Sequence, residues 1–164
     1  MAEETISTAI LTVATIIATV VLLNAIYPSL YSASGSILSM SNAASDRIKT
    51  DLRVLTEYPG ADSNGHFVLV AWVKNTGSST IGAASLKNMD LYLYTGGGMA
   101  SRISQSGSAP GWSYIILNGD GNMDWNPGET LQVTLNYGST LPKGTMKFRL
   151  ALDNGVFTED TFSL

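Results

Sequence analysis

Polar and apolar residues divide the chain into two parts with different periodicities. In the first part, no charged residue lies between Glu4 and Asp46, whereas a helix on a protein surface normally carries a charged face. The segment Ile6–Ile26 is long enough for a membrane span, which needs about 20 residues. Apolar residues continue beyond it at roughly helical spacing. The pattern predicts a helix that Pro28 kinks or interrupts, and that resumes and runs to about Glu57.

Residues 66–164 have the period-two alternation of half-buried antiparallel strands. Turn signals such as Gly96–Gly98 separate the predicted strands at intervals of about ten residues. Two predicted strands each place four residues on one face, namely Leu131, Val133, Leu135 and Tyr137 in one and Met146, Phe148, Leu150 and Leu152 in the other. We therefore predict an α+β fold: a long N-terminal apolar helix (residues 1–58) followed by an immunoglobulin-like antiparallel β-sandwich (residues 59–164) of about seven strands.

Composition and charge narrow the function classes. The net charge is −4, and only 13% of the residues are charged, without the clustered cations that nucleic acid binding needs. The chain has no cysteine, so disulfides and thiolate metal sites are excluded. Its single histidine, His66, has no sequence neighbours for a triad or a metal cluster, and we interpret it as a surface residue. The sequence therefore predicts no enzyme and no nucleic acid partner.

One loop has the spacing of a calcium site. Within the segment LNGDGNMDWNPGE, oxygen-bearing side chains occupy alternate positions and a glutamate follows, as in loops that wrap one hard cation. Position six of that pattern is Met123 instead of glycine, and strands instead of helices flank the loop, so an ordinary Asx/Gly turn is the alternative. The predicted calcium ligands are Asn118, Asp120, Asn122, Asp124 and Glu129.

The apolar helix is longer than a lone lipid anchor requires, because the uncharged zone continues well beyond Ile26. Threonine and alanine at small-residue spacing allow neighbouring helices to approach closely. A helix that is buried among copies of itself accounts for both features, although a single anchor in lipid remains the alternative. The residues predicted to form this assembly surface are Ile6, Ile10, Val13, Ile17, Val20, Leu23 and Ile37.

Three stretches resemble archaellins and their relatives in the type IV pilin superfamily. They are the opening AEETISTAILTVATIIATVVLLNAIYPSL, the segment FVLVAWVKNTGSSTI and the segment WNPGETLQVTL. The resemblance implies a subunit of an extracellular swimming filament, with helices in the filament core and β-domains facing outward. The implied partners are copies of the chain, the archaellum assembly machinery and, before assembly, the membrane.

A second reading of the resemblance is a membrane-anchored, stator-like archaellum protein in the cell envelope. Archaellins usually carry a short basic leader ahead of the helix, whereas residues 1–4 contain no Lys or Arg, and the stator-like relatives share the helix and the β-sandwich. A third class, a calcium- or carbohydrate-binding surface module or a secreted enzyme, fits less well because no convergent set of titratable groups is evident.

Overall fold

The computed structural model describes residues 2–96 and 98–164, and the chain divides into two compact units, residues 1–44 and 45–164. The first helix, α1, runs from Ala2 to Lys49 without a break at Pro28. The predicted interruption at Pro28 is therefore wrong: proline removes one backbone hydrogen bond, and the bonds on either side keep the helix continuous.

Helix α1 ends eight residues before the predicted end at Glu57 (49 against 57). The Thr50 amide donates to the carbonyl oxygens of Asp46 and Arg47 at 3.1 and 3.3 Å and closes the last turn. The chain then enters strand β1, Leu52–Ala61, so the boundary predicted at residues 58–59 falls inside a strand. The apolar residues of β1 up to Glu57, which we predicted to be helical, belong to the sandwich instead.

Within the described residues, eight antiparallel strands form two four-stranded sheets, with strand orders β1-β2-β6-β5 and β4-β3-β7-β8. A short helix, α2 (Ala83–Lys87), connects the two sheets between β2 and β3. Helix α2 was not predicted, and most of β1 lies in the segment predicted as helix; the other strands lie within residues 66–164, where the alternation predicted antiparallel strands. After β1, the strands are β2 (Phe67–Asn75), β3 (Asp90–Tyr94), β4 (Ala100–Ile103), β5 (Gly111–Leu117), β6 (Thr130–Asn136), β7 (Thr145–Ala151) and β8 (Phe157–Ser163).

The core lies between the two sheets, and alternate residues of the inner strands β2, β3, β6 and β7 are buried there. The alternation predicted for β6 and β7 is confirmed, because the inward residues of both strands are buried and Tyr137 packs against the core. Phe67 and Phe162 stack across the interior with ring centroids 5.9 Å apart. An apolar helix followed by an antiparallel β-sandwich is the predicted α+β architecture. Of the predicted Gly96–Gly98 turn, Gly97 lies outside the described residues.

Candidate functional site: the apolar helix and the 118–129 loop

The predicted assembly residues are all exposed in α1. No residue of α1 from Ala2 to Lys49 is buried. The first six assembly residues follow one another at intervals of three or four and form one stripe, and Ile37 lies about 140° from Ile6 around the helix axis at 3.6 residues per turn. Ile6, Ile10, Val13, Ile17, Val20, Leu23 and Ile37 each expose between 50% and 68% of their surface. An apolar surface of this extent marks a membrane or protein contact.

Apolar residues cover the other side of α1 as well. Leu11 and Leu22 lie off the predicted stripe and are exposed to a similar degree. A helix that is apolar all round is typical of burial on every side, in a protein interior or in lipid. By length and composition, α1 is also able to cross a membrane. Its surface therefore suits a bundle or a bilayer, and not water.

The threonines of α1 satisfy their own hydrogen-bonding groups. Thr8 donates to the carbonyl oxygen of Glu4 at 2.6 Å, and Thr12 donates to that of Thr8 at 2.7 Å. Thr15 and Thr19 donate in the same way to the preceding turn. Because these hydroxyl groups are paired within the helix, burial in an apolar surrounding leaves no hydroxyl hydrogen unpaired.

The 118–129 loop connects β5 to β6 and is anchored by Trp125. Trp125 is fully buried, and its indole Nε1 donates to the carbonyl oxygen of Glu129 at 2.9 Å. Its backbone amide and carbonyl both pair with Ile81. Met123, at the position where calcium loops carry glycine, has a φ of 64° and so adopts the left-handed conformation required there.

The acidic side chains of this loop accept hydrogen bonds from three different backbone amides, one of which lies outside the loop. Asp124 accepts the amide of Ala83 at 2.9 Å and thereby caps α2, although the two residues are 41 positions apart. Glu129 is buried and accepts the amide of Asn126 at 2.8 Å. Asp120 accepts the backbone amide of Asn122, and Asn118 follows β5 with a φ of 49°.

Three of the five predicted ligands are acidic, namely Asp120, Asp124 and Glu129. Across residues 2–96 and 98–164, no group of three His, Cys, Asp or Glu side chains is placed to hold a metal ion. The arrangement fits the hydrogen-bonded Asx turn, since Asp120 and Asn122 each accept the amide two residues on. Calcium binding at these residues stays a prediction.

Two groups of charged residues involve strand β8 of the second sheet. Glu159 of β8 accepts hydrogen bonds from Arg149 at 2.8 Å and from Lys147 at 3.3 Å. These hydrogen bonds hold the pKa of Glu159 below its usual value, and the bond from Arg149 has the largest effect. On the edge strands β1 and β8, Glu57 lies beside Asp160; partial burial and then the charge of Asp160 raise the pKa of Glu57. Sequence reasoning missed this pair because β1 was assigned to the helix.

The single histidine belongs to the turn between β1 and β2. His66 Nδ1 lies 3.3 Å from Asp62 Oδ2, and the backbone amide of His66 donates to Asp62 Oδ1 at 2.9 Å. These contacts close the turn, and that backbone hydrogen bond is the main cause of the lowered pKa of Asp62. In the part of the chain that the structure describes, His66 belongs to no group of three His, Cys, Asp or Glu side chains that could hold a metal ion.

An exposed apolar helix ahead of an antiparallel β-sandwich is the architecture of this chain. The sequence matches the archaeal-type flagellin family over residues 2–162, and the chain belongs to that family. An uncharacterized protein of Archaeoglobus fulgidus is 31% identical over 165 residues, which cover 99% of each of the two chains.

Solved structures of two kinds share the fold. The archaeal flagellum of Methanospirillum hungatei strain JF1 has a TM-score of 0.71 at 16% identity, over 97% of this chain and 92% of that chain. The archaellum periplasmic stator protein FlaG of Sulfolobus acidocaldarius has a TM-score of 0.54 at 23% identity, over 69% of this chain and 99% of that chain. The archaellum periplasmic stator protein complex of FlaF and FlaG from the same organism has a TM-score of 0.54 at 20% identity, over 68% of this chain and 87% of that chain.

Proposed function

We propose that this chain is a structural subunit, and not an enzyme, of an archaellum-like filament that serves swimming motility. It polymerises with copies of itself through α1, after a stage in which α1 is held in the membrane and the assembly machinery extracts it. The finished filament stands on the cell surface. The observation that carries the proposal is the surface of α1, which is uncharged between Glu4 and Asp46, apolar on every side over residues 6–26, and apolar on one side beyond them.

Burial of this surface supplies the driving force for assembly. Removing one Ile or Leu side chain from water contributes about 1.5–3 kcal/mol, and α1 exposes many of them. A head-to-tail contact that does not close into a ring repeats indefinitely and produces a helical filament. Copies of α1 packed side by side give such a contact, with the β-sandwich of each copy left outside the apolar core.

The extent of the structural similarity supports a filament subunit. Helix α1 makes up 48 of the 164 residues, so the similarity to the Methanospirillum flagellum, over 97% of this chain, has to include most of it. The similarities to the stator proteins extend over 68–69% of the chain. The long helix is thus a feature that this chain has in common with the filament fold.

A membrane-anchored stator-like protein of the cell envelope is the second candidate. The observation that favours it is the similarity to FlaG, in which 99% of that chain is covered. Because α1 is able to span a membrane by length and composition, the same sequence is compatible with a helix that stays in lipid. The two candidates differ in where α1 resides and in how many copies each cell makes.

Substitutions within α1 test the proposal. Ile37→Asp lies beyond the first apolar span, so it leaves a membrane anchor intact but places an isolated charge in a filament core, at a cost of several kcal/mol. We expect it to abolish filaments while the β-sandwich stays folded, as Ile17→Lys also should. Met123→Lys, in an exposed loop, is the matched control and should assemble. Normal filaments from Ile37→Asp would contradict burial of α1 beyond its first span.

A further inference from the structure

Within the described residues, Asn24 and Pro28 introduce polar groups that lack hydrogen-bond partners into the apolar part of α1. Between Glu4 and Asp46 the only side-chain amides are those of Asn24 and Asn42. Pro28 has no N–H, so the carbonyl group of Asn24, four residues earlier, lacks the donor that a helix normally supplies. Asn24 thus combines a polar side chain with a backbone carbonyl that has no helical hydrogen-bond donor.

The carboxamide of Asn24 makes no hydrogen bond within the part of the chain that the structure describes. It differs in this respect from the nearby threonines, since Thr15 and Thr19 donate to carbonyl oxygens of their own helix. Water satisfies such a group on an isolated helix. In an apolar surrounding an unpaired amide is costly, so burial of α1 requires a partner for Asn24.

Asn24 also lies on the predicted assembly stripe. At 3.6 residues per turn it falls within about 20° of Val13 and Ile17 around the helix axis, and both of these are predicted assembly residues that are exposed in α1. Packing of that stripe against a neighbouring helix therefore buries Asn24 too. The neighbour is then the source of a partner, because the carboxamide of Asn24 makes no hydrogen bond to the described residues of its own helix.

A second copy of the chain provides suitable donors. Tyr27 and Tyr31 have the longest polar side chains near Asn24; both are exposed, and neither makes a hydrogen bond within the described residues. At 1.5 Å per residue, parallel helices shifted by about 4.5 Å or 10.5 Å bring Tyr27 or Tyr31 of one copy level with Asn24 of the next. Such a pair forms only at the matching shift.

We propose that Asn24 hydrogen-bonds with a polar side chain on α1 of a neighbouring copy, and that this bond fixes the axial register of the packed helices. A single buried asparagine is a well-attested way to fix the register of packed helices. The inference rests on the proposed filament function. It assigns to Asn24 the role of fixing the axial register, since apolar contacts alone permit neighbouring helices to slide along one another.

A side-chain-resolution reconstruction of filaments assembled from the full chain is the direct test. The expected result is a nitrogen or oxygen atom of another copy within about 3.2 Å of the Asn24 carboxamide. Filaments in which Asn24 contacts only its own helix or water overturn this inference and leave the proposed function standing. Absence of the chain from filaments overturns both.

Asn24→Leu gives an independent measurement, because it leaves the neighbour's donor without an acceptor. We expect the concentration of unassembled subunit in equilibrium with filaments to rise about tenfold. Asn42→Leu is the matched control: the same substitution is made in the same helix, at a residue whose carbonyl keeps its donor, and it should change that concentration less than about twofold. Equal effects of the two substitutions contradict a special role for Asn24.

Discussion

Arg47 donates a hydrogen bond of 2.7 Å from its Nε to the carbonyl oxygen of Asn154, 107 residues further along the chain. Arg47 lies in the last turn of α1, and Asn154 lies in the turn between β7 and β8. The carbonyl oxygen of Lys49 also accepts the amide of Ser78, at 2.8 Å. Residues 45–49 are therefore bound to two turns of the sandwich and form part of the folded unit that begins at Ser45.

The first prediction is that residues 45–164 fold by themselves, whereas residues 59–164 do not. The shorter fragment lacks most of β1, including Leu52, which is buried, and leaves β2 as an unprotected edge strand. We expect a single cooperative thermal transition for residues 45–164 by circular dichroism, and aggregation or no transition for residues 59–164. Equal melting temperatures would show that β1 and the last helical turn contribute nothing to stability.

The second prediction concerns Gly77, in the turn after β2. A Cβ atom at this position would lie 2.4 Å from the carbonyl oxygen of Lys49 and 2.5 Å from the amide nitrogen of Asp51. Both are backbone atoms, so Gly77→Ala forces the turn away from residues 49–51. We expect a loss of about 1–3 kcal/mol in the free energy of unfolding. Gly107→Ala, where a Cβ meets open space, is the control, and a similar loss there would refute the steric explanation.

The third prediction concerns the pH dependence of Glu57. Its pKa is raised in the folded state, by partial burial and by Asp160. The folded protein therefore favours the protonated carboxyl, and this contribution is complete below the unfolded pKa and is lost as the pH rises through the folded value. Glu57→Gln should raise the melting temperature by about 1–3 °C at neutral pH. At about pH 4 or below, the substitution should leave the melting temperature unchanged. A gain of equal size at both pH values would contradict the assigned cause.

Glu159 provides the comparison of opposite sign. Its pKa is lowered by hydrogen bonds from Arg149 and then from Lys147, so its contribution to stability is present above the unfolded pKa and is lost as the pH falls through the folded value. Glu159→Gln should lower the melting temperature at neutral pH, and the difference should disappear in acid, where the wild-type carboxylate is protonated as well.

The fourth prediction tests the calcium loop. If Asn118–Glu129 binds calcium, millimolar calcium should raise the melting temperature of residues 45–164, since a ligand that binds only the folded state stabilises it by mass action. Asp120→Ala should remove this increase without lowering the melting temperature in chelator, because Asp120 is exposed and, among the described residues, hydrogen-bonds only with Asn122. Asp124→Ala is a poor test, since it also removes the cap of α2. Identical melting in calcium and in chelator would exclude the site.

The sequence was sufficient to predict the elements whose burial pattern is local. Strands β6 and β7 alternate because one face of each is buried, and the absence of charge in α1 is visible without any partner. Strand β1 was missed because Ile48, Leu52 and Leu55 follow at helical spacing, and only pairing with β2 decides between helix and strand. Helix α2 depends on a carboxylate 41 residues away, which no local pattern reveals.

The candidate site likewise has a part that was predictable from the sequence and a part that was not. The exposed apolar positions of α1 were predictable because they depend on composition alone. The orientation of the 118–129 loop was not, because it depends on where Trp125 is buried and on its pairing with Ile81. Spacing along the chain indicated which oxygens alternate, but hydrogen bonds within the loop, and one from Ala83 to Asp124, determine where those oxygens point.

The measurement that tests the account most directly is mass spectrometry of sheared, detergent-washed surface filaments. We predict that this chain is their main protein component, because α1 leaves the membrane and enters the filament core during assembly. A subunit that repeats one contact along a filament has to be far more abundant than an anchored envelope protein. Detection of the chain in the membrane fraction alone, with none in washed filaments, would contradict the filament function and favour the stator-like one.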